Sequence, residues 1–382
     1  MSQIQRPATT GPGNERPAPS VRQLTFQWAQ GPAIPVLSVA IALLLGAVFV
    51  RLSGNDPVAA YAALFQGAFG TPYDITETLV SAIPLVLTGL AVPVAFRTGL
   101  FNIGAQGQLL VGALAAGWAG SQFASLPGFV LMPIVIVFGI GGGAFYGGIV
   151  GLLKALRGVN EVITTIMLNY TIVFVMHWLL QAGPMTAQNA FGTPASTPIG
   201  AGARLPVIVP NELVLFSRLH AGIILAALAV VVFWFLLWRT PLGYQLRAVG
   251  LGARAAAQAG IDPARHMVLV MAIAGGFAGL GGMIEVSGVF GRVYDGFSSS
   301  YGFDAIAVAL LGKNSPFGIV LAALLFGAFV HGGAYMQSHA GISSNLVAII
   351  QAFVLFVIAA ETLVRTLTRR TGRARKPVEA IA

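Results

Sequence analysis

The sequence predicts an all-α, polytopic helical membrane protein with about 10 transmembrane helices, and three observations carry that prediction. The 382 residues are 56% hydrophobic and only 9% charged, with mean hydropathy +0.83; recurring apolar stretches of about 20 residues produce such a balance, and no soluble core requires it. The apolar runs are continuous rather than alternating. A bilayer interior offers no hydrogen-bond partners, so spans are helices or a closed barrel, and continuity selects helices. The third observation is where the Lys and Arg residues fall.

Apolar runs bounded by charge or by Gly and Pro lie near residues 33–51, 78–96, 104–121, 128–153, 160–182, 218–238, 266–288, 302–312, 316–336 and 344–364. The eighth is short for a full crossing. Residues 1–32 include RPATTGPGNERPAPS, polar and aperiodic, which predicts a disordered cytoplasmic tail rather than a cleavable signal with its early apolar core. With that end inside, the cytoplasmic segments hold Arg6, Arg16, Arg22, Arg97, Lys154, Arg157, Arg239, Arg247, Arg254, Arg265 and Lys313. Arg365, Arg369, Arg370, Arg373, Arg375 and Lys376 join them at the C-terminal end, making 17 of the 21 cationic residues. Outside remain four: Arg51, Arg204, Arg218 and Arg292. A span too many or too few would scramble that alternation, so both termini are expected in the cytoplasm. The plan is a tail over 1–32, a transmembrane domain over 33–366 and a basic cytoplasmic tail over 367–382.

Two connections are too long for turns. The external stretch 184–215, rich in Pro, Gly and Thr, is expected to form an ordered cap, with a flexible connector as the alternative. The internal stretch 239–265, RTPLGYQLRAVGLGARAAAQAGIDPAR, holds an Ala-rich helix-prone core from Ala253 to Ala259, and Gly260 with Pro263 supplies a helix stop. Small side chains seat a helix in a partner's groove while Arg247 and Arg254 meet carboxylates there; a helix lying on the lipid surface is an equal reading. A faint repeat links spans two to five with seven to ten, through FNIGAQGQLLVGALAAG and FDAIAVALLGKNSPFGIVLAALLFGAF.

Polar residues inside apolar runs mark candidate function. In GVNEVITTIMLNYT, Glu161, Thr165 and Asn169 recur at i, i+4 and i+8, one stripe running roughly 12 Å from the cytoplasmic rim toward mid-membrane. Such a stripe faces a water-filled path or another helix, and Thr can also bond its own backbone four residues back. In RTGLFNIGAQGQ, residues 97–108, Arg97 anchors a span end, Gly99, Gly104 and Gly107 allow a tight reversal, and Asn102, Gln106 and Gln108 enter the next span. Gln106 and Gln108 lie about 200° apart on a helix, so at most one faces a given path. Asp304 is expected to cap a helix N-terminus rather than touch cargo. His177, His220 and His331 show no metal-ligand spacing, and Glu77 and Glu285 are expected near span ends, in reach of water. Zero cysteines exclude disulfides and thiolate metal sites. The chain lacks a GxxxxGK[ST] loop, so any ATP motor is another polypeptide. The net charge of +9 is accounted for by the cytoplasmic segments and calls for no nucleic acid.

At RTGLFNIGAQGQ, NEVITTIMLNY, TPLGYQLRAVGLGARAAAQAGI and GFDAIAVALLGKNSPFGIVLAALLFG, in that order, the chain resembles permease subunits of bacterial ABC importers of the branched-chain amino acid, ribose and nucleoside group. The resemblance covers roughly residues 35–365, and GLFNIGAQGQ is similar to the nucleoside-type members, which favours a nucleoside, purine first, as cargo. It implies a type II fold like that of vitamin B12 importers, in the inner membrane. The implied partners are a second related permease, a cytoplasmic ABC ATPase that binds ATP and Mg, and an extracytoplasmic substrate-binding lipoprotein; this chain itself, lying in membrane lipid, holds no cofactor. Ala256, Ala257 and Gly260 fit the family's coupling pattern, although Arg254 and Ala255 replace its usual acidic residue. Asn102, Gln106, Glu161, Thr165 and Asn169 are the candidate lining of the substrate path. An ABC permease for a sugar or branched-chain amino acid is the alternative, as is an ion-coupled secondary transporter; only Glu161 and Asp304 approach the depth that the last requires. An intramembrane enzyme would need an acid, base or metal cluster that the sequence does not offer.

Overall fold

Helices start where the sequence punctuates them. Five begin with proline directly after Asp, Thr or Ser: α2 (Pro57–Phe69), α3 (Pro72–Phe96), α8 (Pro241–Leu251), α10 (Pro263–Ile284) and α12 (Pro316–Ala340). Proline's fixed φ suits the first turn, and the preceding side chain accepts an amide hydrogen bond that the helix leaves unmade. At α3 the cap is reciprocal: Asp74 N donates to Thr71 Oγ1 (3.2 Å) and Thr71 N to Asp74 Oδ2 (3.0 Å).

The computed structural model describes residues 21–187, 192–210, 212–298 and 300–357, with side chains from residue 36 onward. The remaining helices are α1 (Val21–Leu52), α4 (Ala105–Gln122), α5 (Gly128–Arg157), α6 (Glu161–Gln181), α7 (Gly222–Arg239), α9 (Ala253–Gln258), α11 (Tyr301–Leu311) and α13 (Asn345–Val357). All ten expected runs fall on helices. α1 begins at Val21, inside the stretch expected to be an irregular tail; the C-terminal tail and the end of the last run lie outside the described residues. α2 was not expected, because its 13 residues are too few to register as a span. Among the described residues, six helices are long and apolar enough to cross a membrane: α3, α5, α6, α7, α10 with its extension to Phe290, and α12. Among the described residues the only non-helical pairings are isolated antiparallel bridges, and the chain is an all-helical, polytopic protein.

α10 is the axis, packed against α3, α4 and α5, while α12 lies on α2 and α3. Glycines make the tightest of these contacts. A Cβ on Gly143 of α5 would fall 2.7 Å from Gly279 Cα of α10, and one on Gly279 would fall 2.9 Å from Gly143 Cα. In lipid the hydrophobic effect does not drive helices together, so close backbone approach and the dispersion contacts it allows do that work.

The expected cap over 184–215 is ordered where described. Ser196 N donates to Val293 O (2.8 Å), Gly200 N to Gly120 O (2.8 Å) and Leu205 N to Ser287 O (2.9 Å), so the segment is stitched across the ends of α4 and α10. Beneath it, two expectations are corrected. Glu77 and Glu285 do not reach water; they are 1% and 3% exposed. α3 begins at Pro72, which puts Glu77 in its second turn under the loop ahead of α7, where the Arg218 guanidinium and backbone amide donate to its carboxylate. α10 continues through a π-helical turn, Glu285–Phe290, so Glu285 lies within the helix rather than at its end. His220, in the loop ahead of α7, is also buried, its Nδ1 accepting from Gly222 N (3.1 Å) and its Nε2 left without a partner. Burial pushes this imidazole down to about 4, with Arg218 adding to the fall and Glu77 opposing it.

Two predictions follow from packing and burial. Gly143→Leu or Gly279→Val forces α5 and α10 apart and costs about 1–3 kcal/mol, whereas Gly141→Ala, whose Cβ would meet open space, stays within about 1 kcal/mol of the parent; thermal unfolding of detergent-purified protein distinguishes them. An imidazole that protonates near 6.5 when unfolded and about 4 when folded binds fewer protons in the native state. Its contribution is therefore complete above pH 6.5 and lost as pH falls toward 4, so the unfolding midpoint drops from about pH 7.5 to about pH 5, and His220→Gln flattens that drop. Equal slopes in the two proteins would remove His220 from the account.

Candidate substrate path and coupling segment

The reversal between α3 and α4 is held by its own polar side chains. Gly99, at φ +76°, turns the chain where other residues would be strained. Asn102, fully buried, accepts from Gly104 N on its Oδ1 (2.9 Å) and exchanges two amide hydrogen bonds with Gln108 (3.0 and 3.2 Å). Gln106 reaches the start of α11: its Nε2 donates to Ser298 Oγ (2.8 Å) and its Oε1 accepts from Gly302 N (2.8 Å). Gln106 and Gln108 thus diverge as their spacing requires, yet both point into protein.

α6 docks on this reversal through the expected stripe. Asn169 bridges backbone on both sides, accepting from Gly107 N (2.9 Å) and donating to Ile103 O (2.9 Å). Thr165, wholly buried, bonds back to Glu161 O (2.7 Å) and Val162 O (2.9 Å). Glu161 pairs with Lys154 of α5 at 2.8 Å. Asn102, Gln106, Thr165 and Asn169 therefore face the interior of this chain and join α4, α6 and α11, while Glu161 lies at the rim.

What α6 turns outward differs in kind. Met167, Tyr170, Phe174 and Trp178 are 55, 59, 72 and 56% exposed, and Thr171 and His177 share that exposed side. His177 Nδ1 lies 2.6 Å from Asp295 Oδ2. The exposed large side chains of α7, by contrast, are Ile224, Leu228, Val231, Val232, Trp234, Phe235 and Trp238, without a hydroxyl or a titratable group. Sequence reasoning missed this face because it followed the amides; the aromatic spacing at 170, 174 and 178 was the available signal.

α11 has 11 residues, roughly 16 Å, about half a bilayer core. Its first turn begins against Gln106 and carries Asp304, whose Oδ2 accepts from Ser300 Oγ (2.7 Å). A cavity of about 220 Å³ opens there, lined among others by Ser300, Tyr301, Asp304, Gln337 and Gln351. Half-helices that start inside a bundle are a recurrent way to build polar sites at membrane depth.

The segment 239–265 folds as two short helices rather than one. α8 is fastened to the core: His266 Nε2 lies 3.0 Å from Gln245 Oε1, and Gly250 packs so closely on the end of α3 that a Cβ would lie 3.1 Å from Thr98 Cα. α9 follows with Ala256 buried against the body and Arg254, Ala257 and Gln258 exposed. Gly260 at φ +82° ends it, and Asp262 caps α10. Arg247, on α8, is half-buried with its Nη1 unpartnered, and its charge is felt at Arg97.

Comparison with known proteins places this architecture. Residues 74–359 match the family model described as branched-chain amino acid transport system / permease component. The chain is 38% identical to the guanosine ABC transporter permease protein NupP of Bacillus subtilis over 333 residues, 87% of this chain and 94% of that one. It is 40% identical to the glucose ABC transporter permease protein TsgB13 of Haloferax volcanii, covering 86% and 87% of the two chains. To the nucleoside ABC transporter permease protein NupB of Lactococcus lactis it is 37% identical, covering 87% and 92%. No solved structure matches the chain. The chain belongs to the branched-chain amino acid transport system / permease component family of ABC transporters.

Proposed function

We propose that this chain is the translocating subunit of an ATP-driven nucleoside importer, with purine nucleosides preferred. The observation that carries the reading is the similarity to guanosine and nucleoside permeases over 87% of the chain, across the GLFNIGAQGQ segment whose amides organise the core. The chain crosses the inner membrane ten times with both ends in the cytoplasm, in a type II arrangement, and pairs with a second related permease. A cytoplasmic ATPase, which binds ATP and Mg, grips the exposed side of α9 through Arg254, Ala257 and Gly260, and an extracytoplasmic lipoprotein delivers cargo. ATP binding closes the motor, the α8–α9 segment moves with it, and the paired permeases open alternately to the two sides.

In this reading the path runs along the outward face of α6. Aromatic rings at 170, 174 and 178 suit stacking on a nucleobase, and Thr171 and His177 exchange hydrogen bonds with ribose hydroxyls without trapping an uncharged cargo. Asn102, Gln106, Thr165 and Asn169 act from behind, holding that face in place. A sugar is the second reading, favoured by the 40% identity to the glucose permease.

Reconstituted with its ATPase and binding protein, the transporter is expected to take up labelled guanosine and adenosine in preference to uridine and glucose; glucose uptake without nucleoside uptake would reverse the assignment. Tyr170→Ala and Phe174→Ala raise the uptake KM roughly tenfold, about 1.4 kcal/mol, with an unchanged unfolding midpoint. Asn169→Ala does the opposite: it strands Gly107 N and Ile103 O, costs about 1–3 kcal/mol of stability and leaves substrate preference alone. Arg254→Glu lowers substrate-stimulated ATP hydrolysis at least roughly tenfold while the protein still inserts, measured on vesicles of matched permease content.

A further inference from the structure

Asp304 does not cap the helix that carries it. Its carboxylate accepts from Ser300 Oγ (2.7 Å) and, among the described residues, from no backbone amide, and it is ion-paired with no described Lys, Arg or His. An ionisable group inside a span is costly against lipid and faces the bundle interior or water, where it marks function. This one lines the cavity of about 220 Å³ where α11, α12 and α13 meet. Gln337 of α12, Ser344 of the loop ahead of α13 and Gln351 of α13 share that lining, and none of the three side chains hydrogen-bonds to a described residue. Phe329 and Val330 complete the wall with apolar surface. A few convergent polar groups on an apolar wall are what a small-molecule site offers.

Size and chemistry narrow the occupant. At about 30 Å³ per water the space holds about seven waters, too roomy for the close cage of oxygens that a bare cation requires. It also falls below the roughly 300–1,000 Å³ of sites that enclose a drug-sized ligand. A single sugar ring fits between those limits. Its hydroxyls both donate and accept, which suits a carboxylate, an acceptor only, flanked by amides that do both. The loop at the mouth of the cavity also touches α6: Asp295 lies 2.6 Å from His177, and Ser300 follows it by five residues, at most about 18 Å of chain. The cavity therefore lies near the outer end of the α6 face.

We propose that this cavity holds the sugar of the cargo at one step of its passage, with Asp304 as the residue that reads vicinal hydroxyls. Two neighbouring hydroxyls donate to the carboxylate, Gln337 and Gln351 bracket the ring, and Phe329 lies against its carbon face. The proposal rests on the nucleoside reading for the identity of the sugar, ribose, but not for the chemistry, because a hexose presents the same pair of hydroxyls. It adds a second station to the aromatic face of α6, one that discriminates by the sugar rather than by the base.

Saturation-transfer NMR on the purified full-length chain in detergent detects weak binding without the binding protein's own preference, and tests this with guanosine, glucose and dideoxyguanosine, which lacks the vicinal pair. Guanosine is expected to bind roughly tenfold tighter than dideoxyguanosine, the loss that follows when hydroxyls no longer meet a carboxylate. Asp304→Asn brings the two within about twofold of each other, and Ala334→Leu, which crowds the cavity and keeps the carboxylate, does the same. Phe174→Ala weakens both alike and keeps their ratio, because it acts on the base. Equal binding of guanosine and dideoxyguanosine to the parent, binding of neither guanosine nor glucose, or a ratio unmoved by both Asp304→Asn and Ala334→Leu would overturn the proposal, whatever the transporter carries. So would binding that needs sodium in the parent and not in Asp304→Asn, because the carboxylate would then hold a cation. Glucose binding that depends on Asp304, without guanosine binding, would instead overturn the nucleoside reading and keep this site. The comparison on the parent protein holds even if a variant fails to fold.

Discussion

The break between α3 and α4 runs from an exposed turn at Gly99 into the packed interior at Asn102 and Gly104, where backbone groups find partners in protein rather than in water. Asn102, within the break, and Asn169 of α6 meet Gly104 N, Gly107 N and Ile103 O, Gln108 locks Asn102, and Gln106 reaches Ser298 and Gly302, so the requirement also fixes how α4, α6 and α11 stand. Polarity here is structural first: four amide side chains, each with donor and acceptor used, convert a local need into long-range order.

The same economy explains the glycines. Small residues bring α5 and α10 into backbone contact, and α10 then presents its other sides to α3 and α4. With α10 fixed centrally, its π-helical turn carries Glu285 and Ser287 inward under the cap, and the cap is in turn hydrogen-bonded to Ser287 and Val293. The outer acids are closed in; Glu77 is held by Arg218. On the opposite face Lys154 of α5 holds Glu161 of α6 at 2.8 Å, so an ion pair ties neighbouring elements at each end of the bundle.

Composition and periodicity made the helices legible because their cause is local: continuous apolar runs and Pro-led caps need no knowledge of neighbours. Orientation of polar residues was not legible in the same way. The i, i+4, i+8 spacing of Glu161, Thr165 and Asn169 correctly put them on one face, but spacing is silent on what that face meets, and it meets the α3–α4 reversal. Glu77 and Glu285 were misplaced for a related reason: α3 starts at Pro72, before its apolar run, and α10 continues through a π-turn, and both shift acids from an end to an interior. The stop at Gly260 was readable because a left-handed φ is a local demand, whereas the half-burial of Arg247 comes with the packing of α8 on the end of α3, far away in the chain.

α6 shows how such a scaffold frees a surface. It is anchored at its inner end by Glu161 on Lys154, midway by Asn169 on the reversal, and at its outer end by His177 near Asp295. Only Thr165, Asn169, Ile172, Met176 and Leu180 are buried, a single narrow stripe on a helix of 21 residues. The buried stripe and these contacts hold the helix while most of its circumference stays uncovered. On that side the Thr171 hydroxyl donates back to Met167 O (2.9 Å) and His177 lies against Asp295, so both are met within the chain, while the Tyr170, Phe174 and Trp178 rings stand uncovered. The inward amides bear the helix, and the outward aromatics carry none of that load.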